Sequence, residues 1–189
     1  MNYDLRSYVK IYNNFLSPQF YGDITNRLKS LKQADWELHS YHIGDKSYSH
    51  ENDLSISYFD FPEKLILKTV LWDLMNRYFE DMNEITAWWP GWEGYSEVRF
   101  NKYENGTEMR IHGDHIKTLF EGKDRGVPIL SIVGSLNDDY EGGELVMWGD
   151  QVIPLKAGSV MIFPSNFMYP HQVNVVTKGV RYSYVSWVW

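Results

Sequence analysis

Hydrophobic spacing predicts helices in the first half of the chain and strands in the second. Residues 18–32 carry apolar side chains three and four positions apart, behind a Ser-Pro pair typical of a helix start. Residues 62–82 also open on a proline and place Leu65, Leu74 and Tyr78 roughly on one side of a second helix. Alternation predicts a strand within residues 8–16, and we expect a strand or two with a mobile loop within the more polar residues 39–60.

From residue 95 onward the apolar runs are short and are separated by Gly, Pro, Asn and Asp. This pattern favours a mainly β jelly roll or barrel, with the N-terminal helices beside it. We expect a single domain over 1–189, in which 1–94 support a β-core at 95–189. The eight candidate strands are SEVRFNKY, EMRIHGD, VPILSIVGSLN, GELVMW, QVIPL, SVMIFP, HQVNVV and RYSYVSWVW.

Composition removes several classes of function. The chain of 189 residues has a formal charge of −7 and no basic run, so we expect no nucleic-acid partner. It contains no cysteine, which excludes disulfides, cysteine metal sites and a thiol nucleophile. No apolar run approaches the roughly 20 residues of a membrane helix, and the start is too polar for a secretory signal, so we expect no membrane association and a cytoplasmic location.

The run RIHGDH (110–115) offers ligands for a metal. On a strand, His112 and Asp114 point to the same face, whereas His115 points away from it. A third ligand is available at His171, at the start of another candidate strand. Two histidines and one carboxylate are the facial triad of non-haem Fe(II) oxygenases, and they also suit a hydrolytic zinc site.

Arg181 distinguishes between these two metals. Alternation in the terminal run RYSYVSWVW places Arg181 and Ser183 on one face of a buried strand. A buried arginine is costly without a partner, and the sequence offers no obvious internal acid. A dicarboxylate co-substrate would supply one, held by the guanidinium fork with a hydroxyl donor from Ser183.

At these residues the chain resembles the 2-oxoglutarate- and Fe(II)-dependent oxygenases, in particular their prolyl 4-hydroxylase-like branch. The resemblance is carried by YENGTEMRIHGD, SLNDDYEGGELVMW, AGSVMIFPSNFMYPHQV and GVRYSYVSWVW, in the family's order. The N-terminal VKIYNNFLSPQF also resembles the family's opening segment, and residues 35–94 match least. Val133-Gly134-Ser135 departs from the family, which often has a co-substrate tyrosine just before the Leu-Asn pair.

The resemblance implies a double-stranded β-helix that hydroxylates a C–H bond, foremost a peptidyl proline, while 2-oxoglutarate is decarboxylated to succinate. It implies Fe(II) on His112, Asp114 and His171, with 2-oxoglutarate and O2 as co-substrates and ascorbate as a reductant. Arg181 would bind the distal carboxylate of 2-oxoglutarate, aided by Tyr103. Trp187 would lie near the reacting carbon, and a proline-containing protein or peptide would be the partner.

Three alternatives remain open from the residues alone. The same chemistry could act on a free amino acid or another small molecule. A zinc hydrolase would use the same triad, but it lacks a well-placed glutamate base and leaves Arg181 unexplained. A non-catalytic sugar-binding jelly roll would leave the whole set of ligands unexplained.

Other polar residues near these motifs carry weaker expectations. Arg125 is a candidate contact for a peptide backbone or an acidic group of the substrate. His39, His42 and His50 lie in a segment without metal-ligand spacing, so we expect them at the surface.

Overall fold

The computed structural model describes residues 4–43, 46–82, 91–92, 94–114 and 127–189, with the backbone alone at 42 and 43. Two α-helices, α1 (Pro18–Ser30) and α2 (Pro62–Asp81), and two short 3-10 helices (Leu5–Tyr8 and Gln33–Asp35) lie in the first half. The strands are β1 (Lys10–Tyr12), β2 (Glu37–Leu38), β3 (Tyr41–Ile43), β4 (Lys46–Tyr48), β5 (Ser55–Ser57), β6 (Arg99–Tyr103), β7 (Met109–His112), β8 (Leu130–Ser135), β9 (Glu141–Gly142), β10 (Leu145–Met147), β11 (Gln151–Ile153), β12 (Val160–Pro164), β13 (His171–Val173), β14 (Val176–Lys178) and β15 (Arg181–Val188).

Both predicted helices are present within two residues of their expected bounds. The Ser17 hydroxyl accepts a hydrogen bond from the Phe20 amide at 3.3 Å, which caps α1 ahead of Pro18. The buried face of α2 differs from the prediction, because Leu65 is 69% exposed. Lys64 takes the inner position instead, since its ammonium donates to the Tyr58 carbonyl and to Asp60 at 2.7 and 2.9 Å. Neither described helix is both long and apolar enough to cross a membrane.

A seven-stranded sheet forms the larger half of the fold, in the order β1-β12-β8-β15-β6-β5-β2. Every pair in it is antiparallel. One face of this sheet packs against α1 and α2, whose buried residues Ile24, Leu28, Leu67 and Leu71 join the same apolar cluster as Ile132. Because side chains alternate along a strand, the opposite face is free to line a site.

A four-stranded sheet, ordered β11-β10-β13-β7, lies against that second face and shares an apolar cluster with it. The two sheets enclose a cleft lined by residues from β6, β8 and β15 on one side and from β7, β10 and β13 on the other. This arrangement confirms the expected jelly roll of the double-stranded β-helix type, with N-terminal helices bracing one sheet.

The strands agree with the sequence pattern except at a few points. The predicted strand HQVNVV is two strands, β13 and β14, and β14 pairs with β9 in a separate ribbon. The N-terminal strand is confined to residues 10–12, where it pairs with β12 at the edge of the larger sheet. The described residues of the segment 39–60 form three short strands, of which β5 extends the larger sheet beside β6.

Candidate active site

The four-stranded sheet carries both candidate histidine ligands, which form one cross-strand pair. His171 on β13 lies opposite His112 on β7, and their ring centroids are 4.3 Å apart. The next pair joins Val173 to Met109, so β7 uses three residues where β13 uses two, and this is a β-bulge. The bulge lets both Met109 and His112 line the cleft, whereas Ile111 between them is 56% exposed.

Asp114 completes the cluster just beyond the end of β7. Its Oδ1 atom is 3.4 Å from His112 Nε2 and 3.6 Å from His171 Nε2. One ligand atom from each of the three residues lies within 4.8 Å of the others. The structure therefore brings together the three residues predicted as metal ligands, close enough to bind a single ion.

The protonation pattern of the two histidines suits metal binding. His112 Nδ1 lies 2.7 Å from the Arg110 carbonyl, and His171 Nδ1 lies 3.1 Å from the Tyr169 carbonyl. Since a carbonyl only accepts hydrogen bonds, each Nδ1 carries a proton, and Nε2 is the ring nitrogen that each histidine can offer to a metal. Burial also lowers the pKa of His171, against the opposing effect of Asp114, which favours the neutral, metal-binding ring.

Ser131 on β8 orients the carboxylate of Asp114. Its hydroxyl donates to Asp114 Oδ2 at 2.6 Å, and the Ser165 hydroxyl lies 2.6 Å from the Ser131 oxygen. Burial alone would raise the pKa of Asp114. The two histidines and the Ser131 hydrogen bond outweigh it and hold that pKa well below its ordinary range. The carboxylate is therefore ionised, with Oδ1 directed at the histidines.

Arg181 lies at the buried end of the cleft with an unsatisfied guanidinium. The residue is 2% exposed, and no described carboxylate lies within 4.0 Å of it. Its NH1 donates to Ser183 at 3.1 Å, while its buried Nε has no hydrogen-bond partner in the described part of the chain. A buried cation in this state is costly for the fold, and a carboxylate ligand would relieve that cost.

Most of the other residues expected from the resemblance also line this cleft. Tyr103 lies opposite Arg181 in the sheet, with its ring centroid 4.9 Å from the guanidinium carbon. Burial raises the pKa of Tyr103, against the opposing charge of Arg181, so the phenol keeps its proton for donation. Ser183 and Trp187 lie on the same face, whereas Arg125 and His115 fall outside the described residues.

The position of Gly134 explains one departure from the family pattern. A Cβ atom at this residue would lie 2.0 Å from the ring of Tyr184, on the helix-facing side of the sheet. The glycine therefore makes room for a core tyrosine and contributes nothing to the cleft. Ser135 faces the cleft side, opposite Ser183, so two hydroxyls stand near the place of the family's tyrosine.

Sequence reasoning missed three polar residues of the cleft. Ser131 holds Asp114, while Arg99 and Asn101 line the cleft on β6 and share a hydrogen bond of 3.1 Å. A signal was available, because polar residues recur on alternate positions of buried strands in LSIVGS and RFNKY.

The expectation that the early histidines lie at the surface is wrong for His39. Its ring is buried and packs edge-on against Tyr41, with centroids 4.8 Å apart. The Tyr41 hydroxyl in turn accepts a hydrogen bond from the Arg110 amide, and this bond connects the segment 39–60 to β7. His50 is exposed, and the side chain of His42 is outside the described part of the chain.

Known proteins resemble the strand-rich half most clearly. Residues 98–189 match the model of the 2OG-Fe(II) oxygenase superfamily. A PKHD-type hydroxylase of Delftia acidovorans (strain DSM 14801 / SPH-1) is 36% identical over 95 residues, 47% of this chain and 41% of that protein. A PKHD-type hydroxylase from Shewanella sp. (strain ANA-3) is 38% identical over 93 residues, which are 47% of this chain and 41% of that protein. The matches thus span about two fifths of these relatives.

Solved structures show the same fold over nearly the whole chain. A Pseudomonas putida prolyl-4-hydroxylase has a TM-score of 0.65 at 22% identity, covering 96% of this chain and 91% of that one. A Trichoplax adhaerens prolyl hydroxylase, in complex with a hypoxia inducible factor oxygen degradation domain peptide fragment, has a TM-score of 0.70 at 16% identity, covering 97% and 84%. Residues 98–189 are therefore similar to the 2OG-Fe(II) oxygenase superfamily, and the chain has the fold of these prolyl hydroxylases.

Proposed function

We propose that this chain is a 2-oxoglutarate- and Fe(II)-dependent dioxygenase that hydroxylates a C–H bond, most readily that of a peptidyl proline. One observation carries the proposal. A convergent cluster of His112, Asp114 and His171 shares a cleft with the buried Arg181, which has no carboxylate partner among the described residues. The family implies Fe(II), 2-oxoglutarate and O2, and the described residues fit the first two.

The proposed roles follow from the contacts of each side chain. His112 Nε2, His171 Nε2 and Asp114 Oδ1 would hold Fe(II), because two imidazoles and one carboxylate are the ligand set of non-haem Fe(II) oxygenases. Bound Fe(II) and 2-oxoglutarate together supply oxidative decarboxylation to succinate and transfer of one oxygen atom to the substrate. Arg181 would form a bidentate pair with the distal carboxylate of 2-oxoglutarate, and the Tyr103 hydroxyl would donate to the same group.

Apolar groups around the cluster would keep the reaction away from bulk water. Phe163 is fully buried and packs edge-on against His171, with ring centroids 5.0 Å apart. Met109, Val133 and Leu145 line the same cleft. Exclusion of water would strengthen the proposed ion pair between Arg181 and 2-oxoglutarate, and it would limit side reactions.

We also propose that residues 1–189 act as one domain, in which the N-terminal elements support the β-core. Pairing of β1 with β12 and of β5 with β6 supports this, since both strands extend the sheet that carries Arg181. Ascorbate as a reductant is a further part of the proposal. Its test is whether added ascorbate prolongs turnover.

The zinc hydrolase is the weaker alternative. The described lining of the cleft contains no glutamate to act as a general base, and a hydrolase gives no use to Arg181. A non-catalytic binding module would likewise leave the three metal ligands without a role.

The proposed activity is tested with purified protein, Fe(II), ascorbate and 2-oxoglutarate labelled at its 1-carboxylate. We expect labelled CO2 and succinate in equal amounts, with one oxygen atom added to a peptide from a proline-containing library. His171→Ala should abolish turnover, while His50→Ala, which removes an exposed histidine, should retain it. Turnover without Fe(II), or full activity in His171→Ala, would contradict the proposal. If free amino acids are hydroxylated and peptides are not, the oxygenase stands and the peptide substrate is wrong.

A further inference from the structure

We infer that Arg99 and Trp187 form an anion subsite at the outer part of the cleft, which binds a carboxylate of the substrate. The inference rests on the proposed dioxygenase activity and adds a chemical class of substrate to it. Neither residue is needed to hold the metal or 2-oxoglutarate in the roles given above.

The sheet register places a second arginine on the face that carries Arg181. On β6, Tyr103 lies opposite Arg181, Asn101 opposite Ser183 and Arg99 opposite Val185. Arg99 is therefore four residues from the Arg181 pair, roughly 13 Å along the strand. Arg181 is fully buried, whereas Arg99 is only half-buried. The cleft thus has a cation at its inner end and another at its outer end.

Arg99 also lies on the side of the cleft that holds the candidate metal ligands. Trp187 is the cross-strand partner of Ser131, the residue that donates to Asp114. The guanidinium carbon of Arg99 lies 5.0 Å from the centroid of the Trp187 ring. A group bound by Arg99 would therefore stand one cross-strand pair away from the residue that positions the metal ligand.

The guanidinium of Arg99 is held in place but keeps free donors. Its Nε donates to Asn101 at 3.1 Å, and stacking on Trp187 restricts its rotation. No described carboxylate lies within 4.0 Å of it, so its two terminal nitrogens can bind another group. A pre-oriented guanidinium fork is well matched to a carboxylate, which it binds through two parallel hydrogen bonds.

The same chemistry could come from two sources. One is the α-carboxylate of a free amino acid, and the other is the side-chain carboxylate of an acidic residue next to the target in a peptide.

An arginine can also stack on an aromatic ring without binding a ligand, and Arg77 is an example in this chain. This exposed residue of α2 lies 5.1 Å from the Tyr12 ring centroid, and Arg77→Gln therefore serves as a matched control.

The test measures binding of acid and amide pairs to protein loaded with Zn(II), a redox-inert substitute for Fe(II), and saturating 2-oxoglutarate. Saturation keeps Arg181 occupied. The probes are the standard L-amino acids with their carboxamides, and the capped peptide Ala-Pro-Asp-Ala with its Asn counterpart. Binding is followed by the indole N–H signal of Trp187 in nuclear magnetic resonance spectra, assigned with Trp187→Phe.

We expect at least one acid to bind about tenfold or more tightly than its amide in the wild type. Arg99→Gln should remove this preference, Arg99→Lys should retain part of it, and Arg77→Gln should leave it unchanged. Equal binding of acids and amides, binding of neither, or a preference that survives Arg99→Gln would overturn the subsite. Preference for a free amino acid or for the Asp peptide identifies the source of the carboxylate.

Failure of the subsite can be told apart from failure of the proposed function. Binding of 2-oxoglutarate is measured in the same samples from its own methylene signals. If the wild type does not bind 2-oxoglutarate, the dioxygenase proposal itself is wrong. If the wild type and Arg99→Gln both bind it but no acid is preferred, only the carboxylate subsite is overturned.

Discussion

The Ser131 hydroxyl donates to Asp114 Oδ2 at 2.6 Å, and this bond decides which carboxylate oxygen is left for a metal. With Oδ2 engaged, Oδ1 faces the Nε2 atoms of His112 and His171. The two histidines are oriented in the same way, by backbone carbonyls at their Nδ1 atoms. Each of the three candidate ligands therefore has a hydrogen-bond partner that fixes its orientation in the absence of a metal.

Ser131→Ala should weaken metal binding without removing a ligand. Loss of a partner that orients a ligand typically costs about 10–100-fold in metal affinity. Titration of Zn(II) or anaerobic Fe(II) by calorimetry measures this change. The matched control is Ser159→Ala, which removes a buried hydroxyl next to β12. Equal affinity in Ser131→Ala and the wild type would show that the hydrogen bond does not prepare the site.

Arg181→Met should lower the affinity for 2-oxoglutarate without lowering the stability of the fold. The substitution replaces a buried, partly unsatisfied guanidinium by an apolar chain of similar length, so unfolding should be unchanged or shifted to higher temperature. Affinity for 2-oxoglutarate should fall by about 100-fold or more, because the lost charged hydrogen bonds are each worth about 1.5–3 kcal/mol. Thermal unfolding and co-substrate titration of the same sample measure both effects. A strongly destabilised variant would instead show that Arg181 is a structural residue.

The metal-free protein should lose stability as the pH falls below about 6.5, the ordinary pKa of histidine. Burial lowers the pKa of folded His171, so between 6.5 and that lowered value the unfolded chain binds a proton that the folded chain does not. Stability is then fully present above pH 6.5 and decreases with acid, by at most about 1.4 kcal/mol per pH unit for one proton. Urea unfolding with a chelator, at several pH values, measures the slope.

The matched variants assign this slope to one residue. His171→Gln should flatten the dependence of the unfolding free energy on pH. His50→Gln, which removes an exposed histidine, should leave it as in the wild type. A slope that persists in His171→Gln would mean that another group takes up the proton.

Gly134→Ala should destabilise the fold by about 3 kcal/mol or more, at the upper end of overpacking costs. The new methyl group would lie 2.0 Å from the fully buried Tyr184 ring. Denaturant unfolding measures the loss, and a second substitution, Tyr184→Leu, should recover part of it. Gly22→Ala in α1 is the control, since no atom of the described residues lies within 4 Å of its added Cβ atom. This helix substitution should stabilise by about 0.5–1 kcal/mol.

The periodicity of apolar residues predicted the helices and strands whose buried positions follow from the local sequence. Both helices and the strands of the core follow apolar spacing and turn residues, so their positions are readable without the structure. Leu65 shows where this fails. The polar Lys64 occupies the buried stripe of α2 because Tyr58 and Asp60, from the preceding segment, receive its three-donor ammonium group. Such a partner is set by the tertiary fold and not by helical spacing.

The candidate site was predictable to the extent that its residues form a motif. His112, Asp114, His171 and Arg181 were all found from spacing, strand alternation and resemblance. The β-bulge in β7 was not found, because it depends on pairing with β13. Ser131 and Arg99 were missed for a related reason. Their contacts are with side chains 17 and 88 residues away in the chain, Asp114 and Trp187 respectively.

The most direct test of the central claim is anaerobic addition of Fe(II) and then 2-oxoglutarate, followed by visible absorption. Chelation of the metal by 2-oxoglutarate should give a weak metal-to-ligand charge-transfer band in the wild type. The band should be absent from His171→Ala, persist in His50→Ala and need far more 2-oxoglutarate in Arg181→Ala. No band in the wild type, or an unchanged band in His171→Ala, would contradict the account.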